Sequence, residues 1–143
     1  MRLSHILQSK GSDVVTTRPD VTILQAIRAL VDRNIGALVV RERSRTVGIL
    51  TERDLLRFLA GGPADLESVL VRELMTRNVV TAEAGDTLAH AMEVMTEHRV
   101  RHLPILESGE LAGIVSIGDV VNTLRSETES ENHQLREYIS TAG

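Results

Sequence analysis

Gly113-Ile114-Val115-Ser116-Ile117-Gly118-Asp119 is the second occurrence of a phrase in this chain. The first, 65 residues upstream, is Gly48-Ile49-Leu50-Thr51-Glu52-Arg53-Asp54. Both copies read glycine, two aliphatic residues, a hydroxyl, two variable residues and an aspartate. The aliphatic pair predicts the end of a buried strand. The hydroxyl leaves the strand, and the aspartate falls where a helix begins. Such a turn sets a hydroxyl, a carboxylate and free helix N–H groups on one rim. A carboxylate accepts two hydrogen bonds, so it suits the diol of a ribose. The plainer alternative is that Thr51 and Ser116 only cap helices, with Asp54 and Asp119 in the first turn. Two copies at one offset favour a duplicated binding element.

Working outward, the whole neighbourhood of the phrase repeats. Residues 14–54 align with 79–119 without a gap, and ten of those positions are identical: Val14, Val15, Thr16, Thr22, Ala26, Leu38, Glu42, Gly48, Ile49 and Asp54. Val14-Val15-Thr16-Thr17 predicts a short strand, stopped by Arg18-Pro19-Asp20. Thr22 caps a helix over residues 22–33, with Ile23, Ala26, Ile27 and Leu30 on one face. Thr87, Leu88, Ala91, Met92 and Met95 repeat that pattern, so the two methionines read as core. Strands follow over 37–40 and 46–50, and a helix from Asp54. The order is strand, helix, strand, strand, helix. Ala60-Gly61-Gly62-Pro63-Ala64 breaks the chain. Residues 66–75 predict a connecting helix carrying Leu66, Val69, Leu70 and Leu74. The expected division is 1–62, first repeat with its lead-in; 63–125, second repeat; and 126–143, a tail helix. The tail sets Leu135, Tyr138 and Ile139 at helical spacing, which predicts that it docks. Two copies of a unit too small to bury both faces of its sheet are expected to pack on one another.

Composition narrows the function classes. The chain has 143 residues, 42% hydrophobic and 25% charged, as an ordinary globular domain does. No run approaches the roughly 20 apolar residues of a membrane span. The first residues carry no signal-peptide core, so a cytoplasmic location is expected. There is no cysteine, which excludes disulfides, thiolate nucleophiles and thiolate metal sites. A net charge of −4 speaks against nucleic acid as a partner. Phe58 and Tyr138 are the only aromatics, too few for a stacking platform. No nucleophile stands beside a base and no phosphate-binding glycine loop is present, so no enzyme is expected. His98 and His102 have the spacing of a helical metal pair, but the helix should end near Arg99, turning the imidazoles apart. No metal site is expected.

The duplicated phrase, together with Met75-Thr76-Arg77-Asn78-Val79-Val80-Thr81 and Met95-Thr96-Glu97-His98-Arg99-Val100-Arg101-His102-Leu103-Pro104-Ile105-Leu106, resembles a tandem pair of CBS domains, named after cystathionine β-synthase. The likeness covers residues 5–125 and extends to the small stand-alone bacterial proteins made of one such pair. It implies an α/β (α+β) fold of two β-α-β-β-α repeats, packed through their sheets about a pseudo-twofold axis. It implies two clefts between the repeats that bind AMP, ADP or ATP, or in some members NAD or S-adenosylmethionine. The nucleotide would be a regulatory ligand, with no catalytic cofactor. By the same resemblance Asp54 with Thr51, and Asp119 with Ser116, hold ribose and phosphate. Val14 and Val79 lie against adenine. Arg53, Arg101 and His102 meet phosphate, and Lys10, the sole lysine, joins the ligand-binding set. The family also implies a homodimer and an effector protein as partner.

Two further expectations follow from the residues. Val120, Val121 and Leu124 read as apolar surface for a dimer contact. His98, Arg99, Arg101 and His102 precede the second central strand, where the first repeat has Arg33, Asn34, Ile35, Gly36 and Ala37. That asymmetry, with Gly118 in place of Arg53, predicts tighter nucleotide binding at Asp119 than at Asp54. The competing reading is a pairing or docking module that binds no ligand.

Overall fold

The structure is a computed structural model. It describes every residue but Ser12 and Gly143, and the side chains of all but these and residues 136–142. Among the described residues there are six helices and two three-stranded sheets. In chain order the elements are α1 (Leu3–Lys10), β1 (Thr16–Thr17), α2 (Ile23–Arg33), β2 (Ala37–Glu42), β3 (Arg45–Thr51), α3 (Glu52–Ala60), α4 (Val71–Leu74), β4 (Ala82–Glu83), α5 (Leu88–His98), β5 (His102–Glu107), β6 (Glu110–Ser116) and α6 (Ile117–Ala142). They form two compact units. One is Asp13–Val80, and the other joins Met1–Ser12 to Thr81–Gly143.

The Asp13–Val80 unit is a β-α-β-β-α core. The Thr22 hydroxyl accepts the Gln25 N–H at 3.2 Å, and the Gln25 side chain accepts the Thr22 N–H at 3.0 Å. This reciprocal box starts α2. Asn34, left-handed at φ 53°, ends it. Ile23, Ala26 and Leu30 are buried along one face and cluster with Leu38, Val40, Leu50 and Leu55. β1 pairs parallel to β2, and β2 pairs antiparallel to β3. Ala37, Leu38, Val39 and Val40 are all buried, as a continuous apolar strand requires.

The second unit repeats this core at the same offset. Thr87 caps α5 by accepting the His90 N–H at 3.1 Å, and Arg99, at φ 55°, ends it. Leu88, Ala91 and Met95 are its buried face. Even the irregularities match. Val40 faces Gly48 and Ile105 faces Gly113, and each ladder slips immediately after that pair.

Each core is completed by a segment that precedes the other repeat in sequence. In one unit Val71 N–H donates to the Val21 carbonyl at 2.8 Å and Arg72 N–H to Pro19 at 3.0 Å, while Ile23 N–H donates to Val69 at 2.8 Å. In the other, Leu3 N–H donates to Asp86 at 2.9 Å, Ser4 N–H to Ala84 at 2.9 Å, and Leu88 N–H to Met1 at 3.2 Å. The acceptors Val21 and Pro19 differ from Asp86 and Ala84 by 65, but Val71 differs from Leu3 by 68. Leu3 and Val71 are both fully buried, and Leu7 and Met75 nearly so. The glycines of the duplicated phrase make room for the last two. A Cβ on Gly48 would lie 2.7 Å from Met75 Sδ, and one on Gly113 would lie 2.5 Å from Leu7 Cδ2.

Several expectations change. The lead-in 1–12, assigned with residues 13–62, packs in the unit of the second repeat, and 63–80 packs in that of the first. The helix expected over 66–75 shrinks to α4, because the carbonyls of Leu66 and Val69 turn to accept N–H groups from the start of α2 and Leu70 is extended. The strand at 14–17 reduces to Thr16–Thr17, and the repeat of it at 79–81 is displaced to Ala82–Glu83, each a two-residue parallel edge. The tail is no separate helix: with no glycine or proline between Gly118 and Gly143, α6 runs on to Ala142. Leu135 on it is 58% exposed, against the docking expectation, and the side chains of Tyr138 and Ile139 lie outside the described residues. Val120 is fully buried, so of the three residues read as apolar surface only Val121 and Leu124 qualify. No helix among the described residues is long and apolar enough to cross a membrane.

If α1 completes the second-repeat core, Leu3→Ala should cost about 2–5 kcal/mol, the range for a fully buried leucine. Hydrogen exchange should then accelerate in β5 and β6 and stay unchanged in β2 and β3. Equal acceleration in both hairpins would contradict the assignment of α1.

Candidate functional site

Both copies of the phrase form the same turn. β3 ends at Thr51 and α3 starts at once. Asp54 Oδ2 accepts the Thr51 N–H at 2.9 Å and the Thr51 hydroxyl at 3.1 Å, while Thr51 Oγ1 accepts the Asp54 N–H at 3.4 Å. At the junction of β6 and α6, Asp119 Oδ2 accepts the Ser116 N–H at 2.8 Å and Ser116 Oγ accepts the Asp119 N–H at 3.2 Å. Each hydroxyl–aspartate pair is therefore a capping box, and the capping role is real. It leaves the rest of the carboxylate's acceptor capacity for other donors. The next donor differs between the copies.

At Asp119 that donor is Lys10, at the end of α1. Its ammonium lies 2.6 Å from Asp119 Oδ2 and 2.9 Å from the Ile114 carbonyl. The lysine and aspartate side chains remain 35% and 25% exposed, so the pair sits on an open rim. α1 reaches this rim because it packs against β6 and α6, burying Leu3, Ile6 and Leu7. Arg101 and His102 adjoin the turn through the backbone. The Ile117 N–H donates to the Arg101 carbonyl at 2.8 Å, and His102 is the register partner of Ser116. One unit thus gathers Lys10, Arg101, His102, Ser116 and Asp119.

At Asp54 the corresponding donor is neutral. α4 stops at Leu74, and Thr76 instead bridges β3 through Ile49, with N–H to carbonyl distances of 2.9 and 3.0 Å. The Thr76 hydroxyl donates to Asp54 Oδ1 at 3.3 Å. The positions equivalent to Arg101 and His102 hold Gly36 and Ala37, and the Gly36 carbonyl accepts the Glu52 N–H at 3.1 Å. Arg53 is exposed in the first turn of α3, between Glu52 and Asp54. Val14 and Val79, both half-buried, fall in this one unit, so Val79 is not in the compact unit that holds Asp119. His98 closes α5 and His102 opens β5, four residues apart but on different elements. Among the described residues no three histidine or acidic side chains are grouped as a metal site requires.

Thr76 was missed by sequence reasoning because it lies outside the gapless 65-residue alignment. The signal that would have found it is the matched spacing of Leu3, Ile6 and Leu7 with Val71, Leu74 and Met75, at an offset of 68.

The fold has known relatives. The model of the CBS domain matches residues 7–61 and 71–126. The CBS-domain containing protein ATU1752 from Agrobacterium tumefaciens is 44% identical, and its crystal structure superposes with a TM-score of 0.83 over 86% of this chain and 98% of that one. The mitochondrial CBS domain-containing protein CBSX3 of Arabidopsis thaliana is 33% identical over 96% of this chain and 71% of its own length. The CBS domain pair of protein MJ0100, solved in complex with 5'-methylthioadenosine and S-adenosyl-L-methionine, is 25% identical with a TM-score of 0.76, over 87% of this chain and 99% of that one.

Burial pushes the Asp119 carboxyl up, but the Lys10 hydrogen bond, the Ser116 N–H and the Lys10 charge outweigh it and hold the carboxyl below its ordinary value. A carboxylate depressed in this way stabilises the fold above its unfolded value of about 3.9, and the contribution disappears as pH falls through the lower folded value. Lys10→Met removes the strongest lowering contact and leaves the burial. The Asp119 titration, followed by carboxyl-carbon NMR, should move upward in that variant. An unchanged titration would show that Lys10 does not hold the carboxylate in solution.

Proposed function

The chain belongs to the CBS domain family, and from that premise we propose that it is a regulatory module that senses an adenosyl ligand: AMP, ADP or ATP, or alternatively NAD or S-adenosylmethionine. A CBS pair is a regulatory rather than a catalytic module. The observation that carries the ligand reading is the pair of half-exposed carboxylates, Asp54 and Asp119, each fixed at a strand–helix turn beside a hydroxyl. Capping takes one oxygen of each carboxylate, so acceptor capacity remains for a ligand's hydroxyls. In this reading each aspartate accepts the ribose hydroxyls, with Thr51 or Ser116 beside it. Val14 and Val79 offer apolar surface to adenine. Arg53, Arg101, His102 and Lys10 are the phosphate partners. The complex of the MJ0100 pair with two adenosyl compounds supports the ligand class. A cytoplasmic location and an effector protein that reads the bound state complete the proposal.

A second reading, association of two copies, has its own observation. Leu56 and Leu59 on α3 are 66% and 46% exposed, and Val121 and Leu124 at the equivalent positions of α6 are 41% and 38% exposed. Two equivalent helices thus show the same apolar pair, one turn apart, to the outside. A homodimer through these helices is compatible with ligand sensing, and it is the whole function if no ligand binds.

Two measurements separate the readings. A thermal shift series with AMP, ATP, NAD and S-adenosylmethionine should stabilise the protein by about 2.7 kcal/mol at a hundredfold excess over Kd. The double variant Asp54→Ala, Asp119→Ala should abolish the shift, and no shift with any compound would leave only the pairing role. In sedimentation at micromolar concentration the wild type should run as a dimer and Val121→Asp as a monomer. A monomeric wild type would remove the association reading.

A further inference from the structure

The two rims differ in charge, and Lys10 is the cation that touches its aspartate. Lys10 contacts Asp119, the exposed Arg101 adjoins the start of α6 through its backbone carbonyl, and the first turn of α6 holds no other acid. His102 and Ser116 complete that rim. Around Asp54 stand the hydroxyls of Thr51 and Thr76, with Arg53 between two acids, Glu52 and Asp54, in the first turn of α3. One rim carries excess positive charge and the other excess negative charge. Screening does not erase such a difference at contact range, since the Debye length is about 8 Å at physiological ionic strength.

Lys10 is placed to act on a ligand without letting go of the protein. An ammonium has three donors. Two are used, on the Ile114 carbonyl at 2.9 Å and on Asp119 Oδ2 at 2.6 Å. The third is left for a ligand, on a side chain that is 35% exposed. A ribose bound at the Asp119 carboxylate is held beside that ammonium, because both would contact the same carboxylate. In the other unit the additional donor to the aspartate is the neutral Thr76 hydroxyl, on Oδ1.

We propose that Lys10 selects the charge of the adenosyl ligand: the Asp119 rim takes a phosphorylated adenosine, and a sulfonium such as S-adenosylmethionine is left to the Asp54 rim. This inference rests on the adenosyl reading above. A phosphate at the Asp119 rim gains a charge-assisted hydrogen bond from an ammonium already held in position, so little side-chain entropy is lost on binding. A sulfonium there meets two like charges. At the Asp54 rim the excess of acid favours the sulfonium.

Isothermal titration of the full chain with adenosine, AMP and S-adenosylmethionine tests this, using wild type, Lys10→Met, Lys10→Arg, Asp54→Ala and Asp119→Ala. Lys10→Met should weaken AMP by about tenfold to a hundredfold, the scale of one charge-assisted hydrogen bond. It should leave adenosine within about twofold and tighten S-adenosylmethionine at the Asp119 rim. Lys10→Arg keeps the charge and should keep the preference for AMP. It also serves as the working variant if Lys10→Met does not fold, with AMP retained against S-adenosylmethionine as the supporting result. Asp54→Ala should remove S-adenosylmethionine binding and spare AMP, and Asp119→Ala should do the reverse. Equal losses for adenosine and AMP in Lys10→Met, or AMP lost with Asp54→Ala alone, overturns the charge selection while leaving the adenosyl reading intact. Failure of wild type to bind any of the three compounds overturns both.

Discussion

The hydrogen bond from the Thr51 or Ser116 N–H to the aspartate three residues on, 2.9 and 2.8 Å long, is the contact on which the rest depends. It closes the strand–helix turn, sets the direction of α3 and α6, and fixes the carboxylate before any ligand arrives. Helix starts leave N–H groups without partners, and a carboxylate there is both the cap and the favourable charge for the helix dipole. The aspartate is thus held by the backbone it serves. A side chain fixed in this way loses little freedom when it binds something else, which is what a sensing site needs.

The second constraint is that neither repeat is complete by its own contiguous chain. The edge strands β1 and β4 are two residues long, and the loops before α2 and α5 leave backbone carbonyls to be satisfied. Residues 69–72 satisfy them in one unit and residues 1–4 in the other. The same segments insert Val71 and Met75, or Leu3 and Leu7, beside glycines whose missing Cβ leaves the space. Gly48 and Gly113 thus owe their place in the phrase to packing, while the hydroxyl and the acid of the same phrase face the rim.

How much of this was legible follows from what encodes it. The two cores were legible because side chains encode them: Thr22 and Thr87 as caps, Ile23, Ala26 and Leu30 at helical spacing, and Ala37-Leu38-Val39-Val40 as a continuous apolar strand. The lead-in pairing was not legible, because it is made largely by backbone N–H and C=O groups that every residue carries. Its few side-chain markers recur at 68 rather than 65, so a gapless comparison passes over them. The same blind spot hid the helix break at Leu70, where tertiary pairing of the Leu66 and Val69 carbonyls overrides local apolar spacing. At the site, Thr51, Asp54, Ser116 and Asp119 were legible as a repeated motif, and so was the clustering of Arg101 and His102 before β5. The contact of Lys10 with Asp119, 109 positions apart, was not legible, since it depends on α1 belonging to the second-repeat unit.

Duplication explains why a symmetric sequence yields unlike rims. The repeated unit copies its strands, helices and capping aspartates at one offset, so the chemistry they encode is the same twice. The lead-in segments lie outside that unit and are free to diverge. α1 keeps eight residues and brings a lysine over its aspartate, whereas α4 ends after four and leaves a threonine there. The substitution of Gly36-Ala37 by Arg101-His102 adds charge on the same side. Change at positions that support the core would cost stability in both copies, but change at the lead-in end is exposed and costs little. The capping aspartates are thus repeated at one offset, while the lead-in donors beside them differ.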